Sequence, residues 1–359
     1  MMKRITFCAL LMTLFLLLSC GSGSTKTEDP KTLFLTSIAN LGKGFLDVFT
    51  SLSDMVSGAF GIKADTKKSD IGKYFTDIAD TMTSVKKKLQ AEVAKNGNYS
   101  KVKSVVDTFI TNTLDKIAEG AKKAASGAIT DAAIGEVVKS DAGTSVDATS
   151  VNALVKGIKT IVDVFLKEGD GQADKTDPVD ADKKDIGKLF GAKNEADKGA
   201  EEKHVAAAGA SIGAVTGADI LKAIAASNAD AKKDGKVKDA TDAASLALAK
   251  GTSTDNDDQL GDAAKKDAVI AAGIALRAMA KDGKFIVKDT AAKKTEAEAA
   301  KGAAASAVGK TLSTLIIAIR NTVDSGLKTI SDSLATVTQE DKSADSTTPA
   351  EAATGGQQQ

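Results

Sequence analysis

The sequence predicts an all-α protein, an elongated helical bundle with at most a few very short strands. Three observations predict this class. Only 3 of the 359 residues are proline, aromatic residues make up 4%, and apolar residues recur every three or four positions along several segments. Proline breaks helices, whereas the abundant alanine and lysine are accommodated there at little cost. A β-sandwich would need more turn-forming and aromatic residues than this chain contains.

The N-terminus predicts a lipoprotein signal peptide, residues 1–19. Two basic residues precede an apolar run over residues 5–18, which is too short to favour a permanent membrane helix. The run ends in Leu17-Leu18-Ser19-Cys20, the pattern of a lipobox, although Leu18 is bulkier than the small residue usual there. Cys20 is therefore the predicted lipid attachment site, where the thiol and then the freed α-amine receive acyl groups. The alternatives are cleavage elsewhere, with an ordinary cysteine at 20, and an uncleaved anchor.

Five strongly patterned helices follow the glycine- and serine-rich flexible tether predicted for residues 20–31. In each helix, apolar residues at steps of three and four share one face. The predicted helices cover about 34–55, 70–96, 102–125, 151–166 and 308–337. The last is the longest and would extend roughly 45 Å. No segment after Cys20 holds an uninterrupted apolar run long enough to span a bilayer, so no second membrane crossing is predicted.

The segments between these helices have weaker patterns. Residues 126–150 are small and polar, and residues 169–185 form a predicted solvated loop. Residues 341–359 are polar and small and are predicted to be a disordered tail.

Alanine-rich sequence between 195 and 305 carries two further predicted helical segments, one from Ile212 to Ile224 and one from Val269 to Met279. Each ends in an Asp-Gly-Lys turn, and after the second turn Phe285-Ile286-Val287 predicts a short strand. The phrase Asp70-Ile71-Gly72-Lys73 returns as Asp185-Ile186-Gly187-Lys188. The repeated short motifs of this chain have no common period. We therefore interpret them as local motifs that recur, and not as the repeat units of a solenoid.

Residues that carry catalysis or metal binding in other proteins are sparse in this sequence. The only histidine, His204, lies in a charged stretch and is predicted to be a surface residue. The acidic loop Asp255–Asp258 lacks the glycine and glutamate that complete a calcium-binding EF-hand loop. Nucleophile-elbow, P-loop and zinc-protease motifs are all missing from the sequence. We therefore predict that the protein is not an enzyme and has no catalytic residue, cofactor or metal site.

Charge and glycine spacing each point to a further feature. The 48 basic residues balance the 48 acidic residues, so the chain lacks the positive charge that nucleic-acid binding requires.

Gly209, Gly213 and Gly217 recur at every fourth position, which would place them on one helical face. This spacing indicates close helix packing, with a flexible linker as the alternative.

One segment is specific enough to indicate a family. Residues 265–288, KKDAVIAAGIALRAMAKDGKFIVK, closely resemble the signature segment of the variable large proteins of relapsing-fever spirochaetes (Borrelia) and of the related Vls-type surface lipoprotein. The lipobox, the helix near 45–60 and the phrase beginning at Asp70 are also similar to that family. The resemblance extends from Met1 to about Gln339.

The resemblance implies a lipid-anchored antigen exposed on the cell outer membrane, which mediates antigenic variation and evasion of host antibody. The implied partners are outer-membrane lipid, through acylated Cys20, and host antibodies. The alternative function is a surface adhesin or host-factor-binding lipoprotein, whose partner would be a host surface factor. An enzyme or a periplasmic transport lipoprotein is disfavoured, because catalytic residues are missing and aromatic residues are few.

A division of the chain follows from the resemblance and from the apolar patterns. Residues 32–125 and 306–340 are predicted to form a membrane-proximal helical frame, in which the N- and C-terminal helices pack together. Residues 126–305 are predicted to form a distal variable region of helices and loops. Exposed polar positions in such a region can change with little effect on stability.

Overall fold

The computed structural model describes residues 30–51, 61–97, 99–139, 145–167, 169–177, 182–290 and 295–341. Helices dominate these residues, and the two strands among them are three residues long. The helices are α1 Pro30–Ser51, α2 Lys68–Lys95, α3 Ser100–Phe109, α4 Asp115–Ala125, α5 Ala148–Phe165, α6 Lys188–Gly191, α7 Glu202–Ala214, α8 Gly217–Ala226, α9 Ala243–Ala247, α10 Asp267–Met279 and α11 Thr295–Leu334. The strands are β1 Val137–Lys139 and β2 Phe285–Val287. The predicted all-α class is confirmed.

The chain divides into two compact units. The first contains the described parts of residues 1–50, 87–107 and 327–359, and the second contains those of residues 51–86 and 108–326. Helices α2, α3 and α11 contribute residues to both units, and α1 contributes its last residue, Ser51, to the second.

The first unit is held together by contacts between parts of the chain that are far apart in sequence. Tyr99 is 2% exposed, and its hydroxyl forms a hydrogen bond with Ser37 of α1. The ammonium of Lys101 donates to the carbonyl of Thr336 at 3.2 Å and pairs with the carboxylate of Asp341 at 3.4 Å. These contacts join the start of α3 to α1 and to the residues that follow α11.

The second unit is built around α10, in which every residue from Asp267 to Met279 is buried. This helix packs against α5, α7, α8 and α9. A separate close contact joins α4 to α5, where a Cβ placed on Gly157 would overlap the backbone of Ala124 and Gly120. Glycine at this position therefore allows the two helix backbones to touch.

The strands β1 and β2 pair in parallel, with Val137 opposite Phe285 and Lys139 opposite Val287. The strand at Phe285–Val287 was predicted and all three of its residues are buried. The strand at Val137–Lys139 was not predicted, because the segment around it is small and polar and its partner lies far along the chain.

The repeated Asp-Ile-Gly-Lys phrase marks a repeated packing arrangement. Ile71 and Ile186 are both fully buried. A Cβ on Gly72 would overlap the carbonyl of Ala128, and one on Gly187 would overlap the carbonyl of Asp258. The phrase begins a long helix only at its first occurrence, since α6 after the second spans four residues.

The helical segment predicted from Ile212 to Ile224 is two helices and not one. Helices α7 and α8 meet at an angle of 100° across Val215 and Thr216. The Thr216 hydroxyl accepts from the Asp219 amide at 3.2 Å, and the Asp219 carboxylate accepts from the Thr216 amide at 2.8 Å, so a reciprocal cap starts α8. The break also separates Gly217 from the face that Gly209 and Gly213 share.

The predicted close packing of three glycines is wrong for two of them. A Cβ on Gly209 or Gly213 would meet no atom within 4 Å, whereas one on Gly217 would overlap Thr314 of α11. In the Asp-Gly-Lys turns the aspartates take positive φ, 65° at Asp234 and 62° at Asp282.

Helix α11 is the one helix in the described ranges that is long and apolar enough to cross a membrane. Half of its most apolar window is buried within the protein. Ala304, Leu312, Leu315 and Ile319 are completely buried within it. A core helix of a folded domain meets the same length and composition criteria, and the burial of α11 is that of a core helix.

Candidate functional site

The predicted lipid attachment site, Cys20, lies outside the described residues, as do the signal peptide over 1–19 and the tail beyond Asp341. The signature segment 265–288 is described in full and forms α10, the following turn and β2. The candidate site is therefore built here from the groups that surround α10.

Lys68, the first residue of α2, is completely buried at the C-terminal end of α10. Its ammonium donates three hydrogen bonds of 2.8 Å, to the carbonyls of Ala278, Ala280 and Gly283. Ala278 lies in the last turn of α10, where carbonyls lack partners within the helix and the helix dipole favours a cation. The Ala280 carbonyl also accepts from the amide of Gly283 at 3.1 Å. Burial lowers the pKa of Lys68 to about 7, and the nearby charge of Glu136 opposes this shift.

Arg277 provides a second buried cation in the last turn of α10. One guanidinium nitrogen, Nη1, donates to the carbonyls of Ala247 and Ala249, each at 2.9 Å, and Nε donates to the carbonyl of Lys284 at 2.6 Å. The guanidinium also lies 5.8 Å from the ring centre of Phe190. Burial lowers the pKa of Arg277 to about 9.

An ion pair marks the opposite, N-terminal end of α10. The carboxylate of Asp267 is fully buried, and the ammonium of Lys183 lies 2.9 Å from it. Lys183 also donates to the carbonyl of Asp177 at 2.9 Å. The helix dipole stabilises a carboxylate in the first turn of a helix and a cation in the last turn. Both ends of α10 therefore carry the side-chain charge that the dipole stabilises.

The chemistry of these groups is structural. The hydrogen bonds of Lys68 and Arg277 run to backbone carbonyls, and Lys183 faces a carboxylate. Among the described residues, no group of three or more histidine, cysteine, aspartate or glutamate side chains is placed to hold a metal ion. The arrangement ties α2, α9 and the turn after α10 to one buried helix.

His204 is not a surface residue, as the sequence had predicted. Its side chain is 6% exposed, and its Nδ1 accepts a hydrogen bond of 3.0 Å from the amide of Glu201 at the start of α7. This bond requires an unprotonated Nδ1. Burial, with the charge of Lys188, lowers the pKa of His204.

The acidic loop Asp255–Asp258 forms ion pairs with lysines. Asp257 is 1% exposed and pairs with Lys236, at 3.1 Å, and with Lys238. The hydrogen bond from Lys238 is the main cause that lowers the pKa of Asp257 to about 2. Asp255 pairs with Lys193 at 2.8 Å. These carboxylates are engaged in ion pairs that fasten the loop.

A shallow groove of about 580 Å³ lies on the surface between α4 and α5. It is lined by Glu119, Lys122, Lys123, Ser126, Lys156 and Thr160. Its three lysines, against one glutamate, give the groove a positive balance of charge.

Comparison with known proteins places the chain in a family. The family model for Borrelia lipoproteins matches residues 45–334. The chain belongs to the Borrelia lipoprotein family. The resemblance drawn from segment 265–288 is thereby confirmed.

Variable large proteins of Borrelia hermsii are similar to the chain, two of them over nearly its whole length. Variable large protein 17 is 62% identical over 100% of this chain and 99% of that protein. Variable large protein 4 is 61% identical over 99% of this chain and 100% of that protein. Others are more distant, down to variable large protein 18, which is 26% identical over 79% of this chain and 82% of that protein.

A solved structure from Borrelia burgdorferi shares the fold. The crystal structure of the Lyme disease variable surface antigen VlsE of Borrelia burgdorferi matches with a TM-score of 0.69 at 38% identity, covering 84% of this chain and 98% of that one. The Borrelia lipoprotein family to which the chain belongs thus includes variable surface antigens.

Proposed function

We propose that this protein is a lipid-anchored antigen of the spirochaete outer membrane, whose replacement by other versions lets the cell evade host antibody. The observation that carries the proposal is the divergence of its relatives within one organism. Identities to variable large proteins of Borrelia hermsii range from 62% to 26%. Many versions of one protein in a single species are what antigen switching requires.

The burial pattern explains how one fold could tolerate such divergence. The signature helix α10 is interior, and its charged residues are satisfied by backbone carbonyls or a buried lysine. Exposed positions elsewhere can change with small effects on stability, typically within about 0.5 kcal/mol. Antibodies bind the exposed positions, so variation there would alter recognition while the core stays intact.

The proposed anchor is acylated Cys20, supported by the lipobox pattern and by membership of a lipoprotein family. Each buried methylene contributes about 0.8 kcal/mol, and two or more acyl chains are needed for stable anchoring. The test is detergent phase partitioning of Cys20→Ala, which should leave the detergent phase. Cys8→Ala, in the predicted signal peptide, is the matched control and should partition like the unaltered protein. Detergent partitioning of Cys20→Ala equal to that control would refute lipidation at this residue.

Exposure on the cell surface is tested separately. Protease added to intact cells should remove the protein, because an outer-surface protein meets the protease directly. A periplasmic protein measured in the same cells provides the control for an intact outer membrane. Full protection of the protein would place it inside that membrane.

The division into a frame, 32–125 with 306–340, and a variable region, 126–305, remains a proposal. Sequences from successive isolates of one infection would test it. Amino-acid changes confined to residues 126–305 are expected if this region presents the variable surface. Change spread evenly over both parts would contradict the division.

Binding of a host surface factor is the alternative function, and the groove between α4 and α5 is where the structure offers a charged surface for it. An adhesin must keep its binding residues, whereas an antigen is free to change them. In the same isolates, an adhesin would therefore keep Lys156, which lies in the region expected to vary, whereas Lys122 and Lys123 lie in the frame that both roles keep. Replacement of Lys156 in switched versions would favour the antigen role.

A further inference from the structure

The start of helix α1 carries two exposed leucines. Leu33 is 47% exposed and Leu35 is 40% exposed. They are two of the four large apolar side chains that are exposed in the described part of the chain. Residues two positions apart on a helix point in nearly opposite directions, so the first two turns of α1 meet solvent on both sides.

The later part of α1 is held by contacts within the first unit. The Ser37 side chain forms a hydrogen bond with Tyr99, and a Cβ on Gly44 would overlap the side chain of Glu92 in α2. Ser37 and Gly44 are seven residues apart and therefore lie on one face of the helix. Leu33 lies one turn before Ser37 on that face but is half exposed. The start of α1 thus extends beyond the contacts that hold the rest of the helix.

The exposed leucines lie in an uncharged stretch of the sequence. Residues 32–42, between Lys31 and Lys43, contain no charged side chain, although charged residues make up 27% of the whole chain. Thr32 and Thr36 are the exposed polar residues of the first two turns. Charged side chains are costly in lipid, and this stretch avoids that cost. The surface at the start of α1 is therefore compatible with a lipid environment.

The position of these leucines in the sequence places them close to the proposed anchor. Pro30, the first residue of α1, follows Cys20 by ten residues. A tether of this length spans at most about 36 Å when fully extended and about 17 Å on average when flexible. Two leucines alone would bind lipid weakly, but such a tether raises their effective concentration at the bilayer to the order of millimolar.

We propose that the start of α1, residues 30–36, inserts Leu33 and Leu35 into the membrane that holds the anchor. Membrane insertion at this place rests on the proposed lipidation of Cys20. Insertion would be shallow, since apolar side chains at the interface reach about 5–10 Å into the boundary between headgroups and acyl chains. It would also keep residues 30–36 from antibodies on intact cells.

The test uses the mature, acylated full-length protein in phosphatidylcholine vesicles. Cys20 is the only cysteine after residue 19, and acylation would consume its thiol, so Leu33→Cys provides a single free thiol for a fluorescent label. Substitution at this exposed position should leave the fold intact. The label should lose fluorescence when the vesicles contain lipid with a spin label on the acyl chain.

Lys43→Cys is the matched control. Lys43 is exposed on the same helix, and its Cα lies about 15 Å further along the helix axis than that of Leu33. A label at this position should keep its fluorescence in the same vesicles. Equal quenching of the two labels would indicate unspecific adsorption of the protein to lipid and would overturn the proposal.

Vesicle flotation of the same samples separates this inference from the proposed anchor. Protein that floats with the vesicles, but whose label at residue 33 is not quenched, would retain the anchor and overturn the insertion. Protein that does not float would refute the anchor and the insertion together. Fluorescence at residue 33 that changes with protein density, without quenching by spin-labelled lipid, would assign the leucines to a contact with a second copy of the chain and overturn the insertion as well.

Discussion

The ammonium of Lys68 lies 2.8 Å from the carbonyl oxygen of Ala280, the residue at which α10 ends. Two more carbonyls from the same helix end and turn complete the set of acceptors. Lys68 begins α2, more than two hundred residues earlier in the chain. A single buried side chain therefore fixes the end of the signature helix against the start of another.

Replacing Lys68 with methionine should destabilise the fold. The substitution keeps an apolar stem in place but removes three buried hydrogen bonds, of which only the one to Ala280 leaves an acceptor that is also bonded by the amide of Gly283. We expect this loss to lower the free energy of unfolding by about 2–3 kcal/mol. Lys67→Met is the matched control, because Lys67 is exposed and pairs only at 3.9 Å with Asp131. Urea denaturation measures both variants, and equal stability of the two would contradict the role assigned to Lys68.

The sequence could predict α2 but not the role of the lysine that starts it. One face of α2 is buried, so its apolar residues repeat with the helical period, and a period is a local signal. Lys68 is buried because its acceptors are supplied by the end of α10, and no pattern around residue 68 reports on residues 278–283. Arg277 was missed for the same reason, since arginine is rarely fully buried and two of its three carbonyl partners, Ala247 and Ala249, come from α9 and the residues just after it.

The break between α7 and α8 is different, because its signal was present in the sequence. Thr216 and Asp219 have the spacing of a capping box, which marks a helix start inside the segment predicted to be continuous. The candidate site was predictable only as a sequence resemblance over 265–288. Its interior position became evident from the contacts of α10 with the helices around it.

The contact between α4 and α5 predicts opposite effects for two glycine substitutions. Gly157→Ala should lower the free energy of unfolding by about 1–3 kcal/mol, because the new methyl group overlaps the backbone of α4. In Gly209→Ala, on α7, the new methyl group meets no atom within 4 Å. This substitution should raise the free energy of unfolding by about 0.5–1 kcal/mol, because alanine has the higher helix propensity. Thermal or chemical unfolding of both variants measures the difference. An increase in the free energy of unfolding for Gly157→Ala would show that α4 and α5 are further apart than described.

His204 predicts a loss of stability in mild acid. Its pKa is lowered in the folded protein, so the unfolded chain takes up the proton first as the pH falls through the usual histidine value of about 6.5. The stability provided by the neutral ring is present above that pH and is lost as the pH falls toward the lowered pKa of the folded state. The midpoint urea concentration of unfolding should therefore be lower at pH 5.5 than at pH 7.5. These pH values lie about one unit below and above the usual histidine pKa.

The control for this effect is His204→Gln, whose amide oxygen can accept from Glu201 without titrating. Because His204 is the only histidine, the variant should lose the part of the difference that comes from histidine. A difference of unchanged size in His204→Gln would assign the effect to Lys68, whose pKa is lowered to about 7, or to carboxylates instead.

The burial of α10 predicts that antibodies against this helix cannot bind the folded protein. Every residue from Asp267 to Met279 is buried, so an antibody raised against a peptide of that sequence has no exposed side chains to contact. It should bind the urea-denatured chain and fail to bind intact cells or the native protein in solution. An antibody raised against the exposed first turn of α7, which includes Glu202 and Lys203, is the control and should bind both forms. Equal binding of the α10 antibody to native and denatured protein would mean that the helix separates from the core under native conditions.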